Sequence, residues 1–166
     1  MDNKRIIGQT DLEHEIMELE EILKIKKDQL EKLRLVNENG KYVLISTGGI
    51  NELNIEGLPK TWKKAIKQNN VFKTRKDAEK ERDRRELLYE FNQFRDECND
   101  GWEPNWKDCE EPKFYIAFNF NGDKGLTTSY MHTLKTFVTF GYFNDFRACM
   151  DAIEKFGDRI RKLYID

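Results

Sequence analysis

The N-terminal part of the chain carries the feature that most restricts its fold, a heptad repeat of apolar residues. Thr10 can cap a helix together with Glu13, and the Asn39-Gly40 pair is a typical helix stop. Between these signals the apolar residues recur at alternating steps of four and three, at Leu12, Ile16, Leu19, Leu23, Leu30 and Leu33. Lys26 interrupts the stripe. The pattern predicts a long amphipathic helix, an N-terminal arm over residues 1–38.

Charge is segregated along this predicted arm. Acidic residues dominate positions 11–21 and basic residues dominate positions 24–34. Two parallel copies would place acid beside acid, whereas an antiparallel helix would meet opposite charge. We therefore expect antiparallel packing, and two partners for the stripe remain open. One is a second copy, which would make a homodimer, and the other is the chain's own sheet or long helix.

Residues 39–70 predict a small hairpin followed by a short helix. Segments 42–46 and 50–55 have strand composition and flank the turn at Thr47-Gly48-Gly49. Pro59 can begin a helix that carries Trp62. The glycine pair lacks the spacing of a phosphate-binding loop, so no nucleotide site is indicated.

Residues 71–166 predict the main domain. Thr74 can cap a long charged helix that ends near Cys98, and Asn144 or Asp145 can cap a final helix with one broad apolar face. Between the two helices, alternating aromatic and polar residues predict three antiparallel strands, over 114–120, 126–133 and 137–143. The expected fold class is α+β: a helical, coiled-coil-like arm, a small hairpin, a long charged helix, and a three-stranded antiparallel sheet packed by the C-terminal helix.

Composition excludes several classes of protein. Charged residues make up 36% of the chain, and no apolar stretch is long enough for a membrane span or a signal peptide. We therefore expect a cytoplasmic protein with no membrane contact. The net charge of −2 is too small for a general polyanion binder. Eleven Phe, six Tyr and three Trp argue against disorder, because these side chains can fill a core.

No catalytic motif stands out, and we expect neither an enzyme nor a metal or cofactor. Cys98, Cys109 and Cys149 have no close cysteine pairing and no local signature that would couple one of them to His132. A magnesium-dependent nuclease would need converging carboxylates, for which the region 96–113 supplies the residue types. Acids in one exposed loop more often form a solvated or partner-facing surface.

The basic segment 60–76 is the best candidate for binding nucleic acid. It contains seven basic residues and no acid, and Trp62 could stack on an exposed base. The residues assigned to this alternative function are Lys60, Trp62, Lys63, Lys64, Lys67 and Lys73. Trp62 also stands at helical spacing from Ile66, which favours a core position with the lysines in solvent.

The acidic loop, residues 102–112, is the candidate for binding protein. It combines two tryptophans with several carboxylates, and the residues assigned to it are Trp102, Glu103, Trp106, Asp108, Glu110 and Glu111. Tryptophan concentrates binding energy at interfaces, and carboxylates suit a basic groove such as a nucleic-acid channel. The alternative is that both tryptophans hold the loop on the sheet while the acids stay in water.

Two runs, VFKTRKDAEKERDRRELLYEFNQFRDECNDGWEP (residues 71–104) and FGYFNDFRACMDAIEKFGDRIRKLY (residues 140–164), resemble small accessory proteins of Firmicutes phages and prophages. The resemblance is one of general sequence pattern, without a catalytic signature, and it implies no particular site residues. It implies a protein that acts in the cytoplasm of the host cell, as a regulator, a nucleic-acid handler or an inhibitor of host defence of the anti-CRISPR type. We therefore expect an inhibitor that binds a host defence protein, such as a CRISPR effector.

Overall fold

The computed structural model describes residues 3–53, 62–121, 125–133 and 135–166, with the side chains of residues 3–10 left out. Within these ranges the chain has four helices and five strands, which confirms the predicted α+β class. The chain divides into two compact units, Met1–Glu79 and Lys80–Asp166. Among the described helices, none is both long and apolar enough to cross a membrane.

The predicted N-terminal arm is a single continuous helix, α1, over Asn3–Asn39. It begins before Thr10, so the prediction that Thr10 caps the helix is wrong. It ends where the sequence predicts, because Gly40 adopts a φ of +110° and its amide donates to the carbonyl of Val36 at 2.8 Å. A β-carbon at Gly40 would collide with the backbone oxygen of Phe72. Only glycine therefore allows both the turn and the close approach of these two segments.

A small antiparallel sheet follows α1 in the first unit. Its strands are β1 (Tyr42–Leu44), β2 (Ile50–Glu52) and β3 (Val71–Phe72), in the order β2-β1-β3. The predicted hairpin is confirmed by the pairing of β1 with β2. The sequence places β3 at the start of the main domain, and in the structure it pairs with β1 in this first sheet. The helix α2 (Trp62–Lys67) precedes β3, and its predicted start at Pro59 lies outside the described residues.

The long charged helix, α3 (Arg75–Asn99), begins at the predicted cap. The hydroxyl of Thr74 accepts a hydrogen bond from the amide of Asp77 at 3.1 Å and donates to the carboxylate of the same residue. The last helix, α4 (Phe146–Tyr164), is capped by Asp145, whose carboxylate accepts from the amide of Ala148 at 2.9 Å. Both helix starts are therefore set by the local side chains that predict them.

The core of the second unit lies between α3, α4 and a two-stranded sheet. This sheet pairs β4 (Lys113–Asn119) with β5 (Gly125–Met131). Phe91 of α3 is fully buried, with ring centroids 4.7 Å from Phe140 and 5.2 Å from Phe156 of α4. The buried core residues are Leu87, Phe91, Phe140, Phe143, Cys149, Ala152, Phe156, Ile160 and Leu163. Aromatic packing therefore joins the two helices of this unit, as the predicted apolar face of the last helix requires.

The segment 137–143 does not extend this sheet as a full third strand. It meets β4 only at Phe143, which exchanges two backbone hydrogen bonds with Phe114. A turn at Gly141, with φ +73°, directs the chain away from β4 and places Phe140 in the core. The guanidinium of Arg95 donates to the carbonyl of Phe140 at 3.2 Å and holds this turn. An apolar groove of about 260 Å³ remains between β4 and the diverted segment.

Candidate functional site

The acidic loop connects α3 to β4, and its predicted residues fall into two groups. Glu103, Asp108 and Glu110 are exposed to solvent. Trp102, Trp106 and Glu111 are half-buried and are engaged within the loop or on the sheet. The structure therefore keeps the predicted residues in one loop but separates their roles.

A buried lysine organises the loop from below. Lys113, the first residue of β4, is fully buried. Its ammonium donates to the backbone carbonyls of Asp108 at 2.9 Å and Glu111 at 2.8 Å, and it lies 3.0 Å from the Glu111 carboxylate. A buried ammonium is stable only when its donors are satisfied, and these three oxygens satisfy them. Lys113 therefore fixes the path of the loop at its C-terminal end.

Glu111 joins the two ends of the loop. One oxygen of its carboxylate accepts from the indole nitrogen of Trp102 at 2.8 Å, and the other accepts from the amide of Asn105 at 3.0 Å. The hydrogen bond from Trp102, together with the nearby Lys113 and Asn105, lowers the pKa of Glu111 below its usual range. Glu111 is thus a charged structural residue of the loop at neutral pH.

Trp106 packs on the face of the sheet that is turned away from the core. Its ring meets Tyr142 edge to face, with centroids 5.1 Å apart. The ammonium groups of Lys113 and Lys135 lie 5.7 Å and 5.8 Å from the ring centroid, within the range of a cation–π contact. Trp106 therefore fastens the middle of the loop to the sheet, as the structural alternative for this residue proposes.

The exposed carboxylates extend from this fixed loop into solvent. Asp108 also stabilises the turn that follows it, because its carboxylate accepts from the amide of Glu110 at 2.9 Å and more weakly from that of Glu111. Glu103 and Glu110 have exposed side chains and belong to the same short connection. The loop thus presents negative charge on a backbone whose conformation is already set.

The basic segment offers less to nucleic acid than the sequence indicates. Trp62 is buried in the first unit, with 4% of its surface exposed, so its ring is not available to stack on a base. Lys63 lies 2.6 Å from Glu31 of α1, which neutralises its charge locally. Lys64, Lys67 and Lys73 are exposed, and Lys60 lies outside the described residues.

The cysteines lie in three different environments. Cys149 is buried in the core, and burial raises the pKa of its thiol. Burial also raises the pKa of Cys98, while Cys109 is exposed. A thiol with a raised pKa is a poor nucleophile, because the thiolate is the reactive form. Within the described ranges, no group of three or more His, Cys, Asp or Glu side chains is arranged to hold a metal ion.

The apolar stripe of α1 is exposed. Each of its six predicted residues is between 42% and 60% exposed, from Leu33 at the lower value to Leu12 at the higher. The stripe therefore stands as an open apolar face within the described part of the chain.

Sequence reasoning missed the residues that hold the acidic loop in place. The sequence singles out neither Lys135 nor Tyr142, and Lys113 is only the last residue of the region 96–113 that was weighed for a nuclease. The strand pattern does contain a signal for Lys113. In β4 it shares a face with Tyr115 and Ala117, and this face is opposite to that of Phe114. The contact with Trp106 depends on the loop's path and has no signature in the local sequence.

Comparison with known proteins identifies no relative. No protein-family model matches the chain, and neither a curated protein nor a solved structure matches it.

Proposed function

We propose that the chain is a non-enzymatic accessory protein of the phage type, which inhibits a host defence protein by covering a basic, nucleic-acid-binding surface with its acidic loop. One observation carries the proposal: the loop is held by the buried Lys113, while Glu103, Asp108 and Glu110 are left in solvent. A CRISPR effector is one suitable target, because it holds nucleic acid in a positively charged channel.

A fixed loop favours this role over that of a passive solvated surface. Binding costs free energy when flexible side chains and loops become ordered, and a loop that is already ordered avoids part of this cost. The anchors of the loop are internal, since Glu111 and Trp102 bind each other and Lys113 binds the backbone. The exposed carboxylates of Glu103 and Glu110 can therefore meet cations of a partner while these anchors stay in place.

The test is capture of partners from host lysate by the full chain, with and without nuclease treatment. We expect a host protein to be recovered in both cases. After this host protein is purified, addition of the chain should release the nucleic acid that the host protein binds. The variant Glu103→Gln with Glu110→Gln removes two exposed charges and keeps every anchor of the loop, so it should bind this protein much more weakly.

The matched control removes the same charge elsewhere. Glu154→Gln with Asp158→Asn changes two exposed acids of α4 and should bind as wild type does. Trp102 and Trp106 are unsuitable for this test, because their replacement also releases the loop. Equal capture by the loop variant and the wild-type chain would contradict the proposed surface.

The alternative function is nucleic-acid binding through the exposed Lys64, Lys67 and Lys73. It predicts that nucleic acid is recovered in the untreated capture and that its affinity falls steeply with salt, because each phosphate contact releases counterions. Recovery of nucleic acid alone, abolished by Lys64→Gln with Lys67→Gln, would replace the inhibitor proposal with this one.

A further inference from the structure

The open face of α1 has the geometry of a coiled-coil seam. Its a and d positions, in chain order, are Leu12, Ile16, Leu19, Leu23, Lys26, Leu30 and Leu33. The helix is continuous across all of them, and every described side chain from 11 to 31 is exposed. An apolar stripe of this length that is exposed along a helix is typical of an association surface.

The ion pairs within the first unit lie away from this seam. Lys63 of α2 binds Glu31, at a b position, and Asp28 pairs with Lys32 at positions f and c, with N to O distances of 2.6 Å in both cases. The e positions beside the seam are Glu13, Glu20, Lys27 and Arg34. The first two are acidic and the last two are basic. The charges that flank the seam are therefore ordered along the helix, while the outer face makes the internal contacts.

We propose that two copies of the chain associate through α1 as an antiparallel coiled coil, with the two-fold axis beside Leu23 and Lys26. In this register Leu19 packs against Leu30 of the second copy, and Leu23 packs along the aliphatic stem of the second copy's Lys26. The same register places Ile16 opposite Leu33 of the second copy. This inference is independent of the function proposed for the acidic loop.

Charge complementarity selects the second copy as the occupant. In the antiparallel register Glu20 faces Lys27 of the second copy, and Glu13 faces its Arg34, with each contact repeated by the two-fold axis. All of the e positions from 13 to 34 are thus matched by one register of the helix with itself. Such a match follows directly from self-association, and no other partner is needed to explain it.

A parallel pair would lose both the packing of Leu23 on Lys26 and the opposite charges at the flanking positions. It would stack Lys26 on Lys26 of the second copy at a d position. It would also place Glu15, at a g position, beside Glu20 of the second copy. Like charges at these positions destabilise the pair, so the sequence of α1 disfavours the parallel orientation.

Sedimentation equilibrium of the full chain provides the first test. We expect a mass of twice 19.8 kDa, falling toward 19.8 kDa on dilution. Leu19→Gln with Leu23→Gln should give the monomer mass at all concentrations. Its control, Met17→Gln with Ile25→Gln, removes two exposed apolar side chains from the outer face and should remain dimeric. A wild-type chain that is monomeric throughout would overturn the proposal.

A single charge reversal then distinguishes the two orientations. Glu20→Lys places like charges beside Lys27 of the second copy, so the antiparallel dimer should dissociate about tenfold more readily. Adding Lys27→Glu to the same chain should restore the affinity. In a parallel dimer Glu20→Lys would instead attract Glu15 and tighten association, which would overturn the proposed orientation. Glu21→Lys, at the outer f position, is the control, and circular dichroism verifies that each variant keeps its helices.

Discussion

Lys113 is the residue on which the acidic loop depends. Its ammonium is fully buried, and its three oxygen partners all belong to the loop. Lys113→Met keeps the length of the side chain but leaves two carbonyls and the Glu111 carboxylate without their donor. Removal of one partner from such a buried set costs about 3 kcal/mol of the free energy of unfolding. Urea denaturation of the variant measures this loss.

The control for this measurement is Lys107→Met in the same loop. Lys107 is exposed, and the same substitution there should change the free energy of unfolding by less than about 0.5 kcal/mol. Equal stabilities of the two variants would show that the contacts of Lys113 contribute little, and the loop would then need another anchor.

Glu111 gives the loop a dependence on pH. Its pKa in the folded chain is lowered, chiefly by the hydrogen bond from Trp102, so the folded state binds a proton less readily than the unfolded state does. The stabilisation it supplies is therefore fully present above the usual carboxyl range of about 4 and is lost as pH falls through the lowered pKa. Glu111→Gln should be less stable than wild type at neutral pH, and the difference should shrink in acid.

Urea midpoints of the two proteins across this pH range provide the measurement. Gln keeps an oxygen that can accept from the Trp102 indole, so the variant removes the charge and retains the shape of the side chain. Glu110→Gln is the control, because it shows how the loss of one exposed charge from the same loop changes the urea midpoint. A gap between wild type and Glu111→Gln that stays constant from neutral pH into acid would contradict the role of the Glu111 charge.

At the scale of elements, the turn at Gly141 prevents the segment 137–143 from joining the second sheet as a full third strand. A β-carbon at this position would lie 2.5 Å from the guanidinium of Arg95, and the φ of +73° disfavours any side chain. Gly101 has a similar φ of +78° but open space around it. Gly101→Ala should therefore lower the free energy of unfolding by about 1 kcal/mol through backbone strain alone. Gly141→Ala should cost about 1 kcal/mol more, because Arg95 must also leave the carbonyl of Phe140.

Thermal or urea unfolding of the two variants measures this difference. The comparison separates the strain of the backbone, which both variants share, from the displacement of Arg95, which only one requires. If Gly141→Ala were no less stable than Gly101→Ala, then the contact of Arg95 with this turn would not be what holds the segment in place.

The elements that sequence analysis predicts well are those set by neighbouring residues. Thr74 and Asp145 cap α3 and α4 through their own side chains, and Gly40 ends α1 through its own backbone, so the signal and the structure are local. The alternation in 137–143 is equally clear, yet the full strand does not form. Its path is set by Arg95, which is distant in sequence and reaches the carbonyl of Phe140.

The same limit applies to the acidic loop. Composition identifies the loop as a surface rich in acids and tryptophan, and the structure keeps its acids Glu103, Asp108 and Glu110 exposed. Which residues face solvent and which act as anchors depends on the buried position of Lys113 and on the ring of Tyr142. These contacts form between the loop and the sheet, and periodicity within a single segment carries no information about them.

At the scale of the whole molecule, the two units place separate tryptophan reporters in the chain. Trp62 belongs to the first unit, while Trp102 and Trp106 belong to the second. If α1 forms a dimer, its association stabilises the unit that contains it, and this stabilisation grows with protein concentration. The unfolding midpoint that the fluorescence of Trp62 reports should therefore rise with protein concentration. The midpoint that Trp102 and Trp106 report should not.

Urea unfolding of two variants separates these signals. Trp102→Phe with Trp106→Phe leaves Trp62 as the reporter, and Trp62→Phe leaves the second unit. A tenfold rise in concentration should stabilise a dimeric first unit by up to about 1.4 kcal/mol, which moves its urea midpoint by roughly 0.5 to 1.4 M. The midpoint of the second unit should stay constant over the same range. A Trp62 midpoint that is also constant would mean that the first unit unfolds as a monomer, contrary to the pairing inferred for α1.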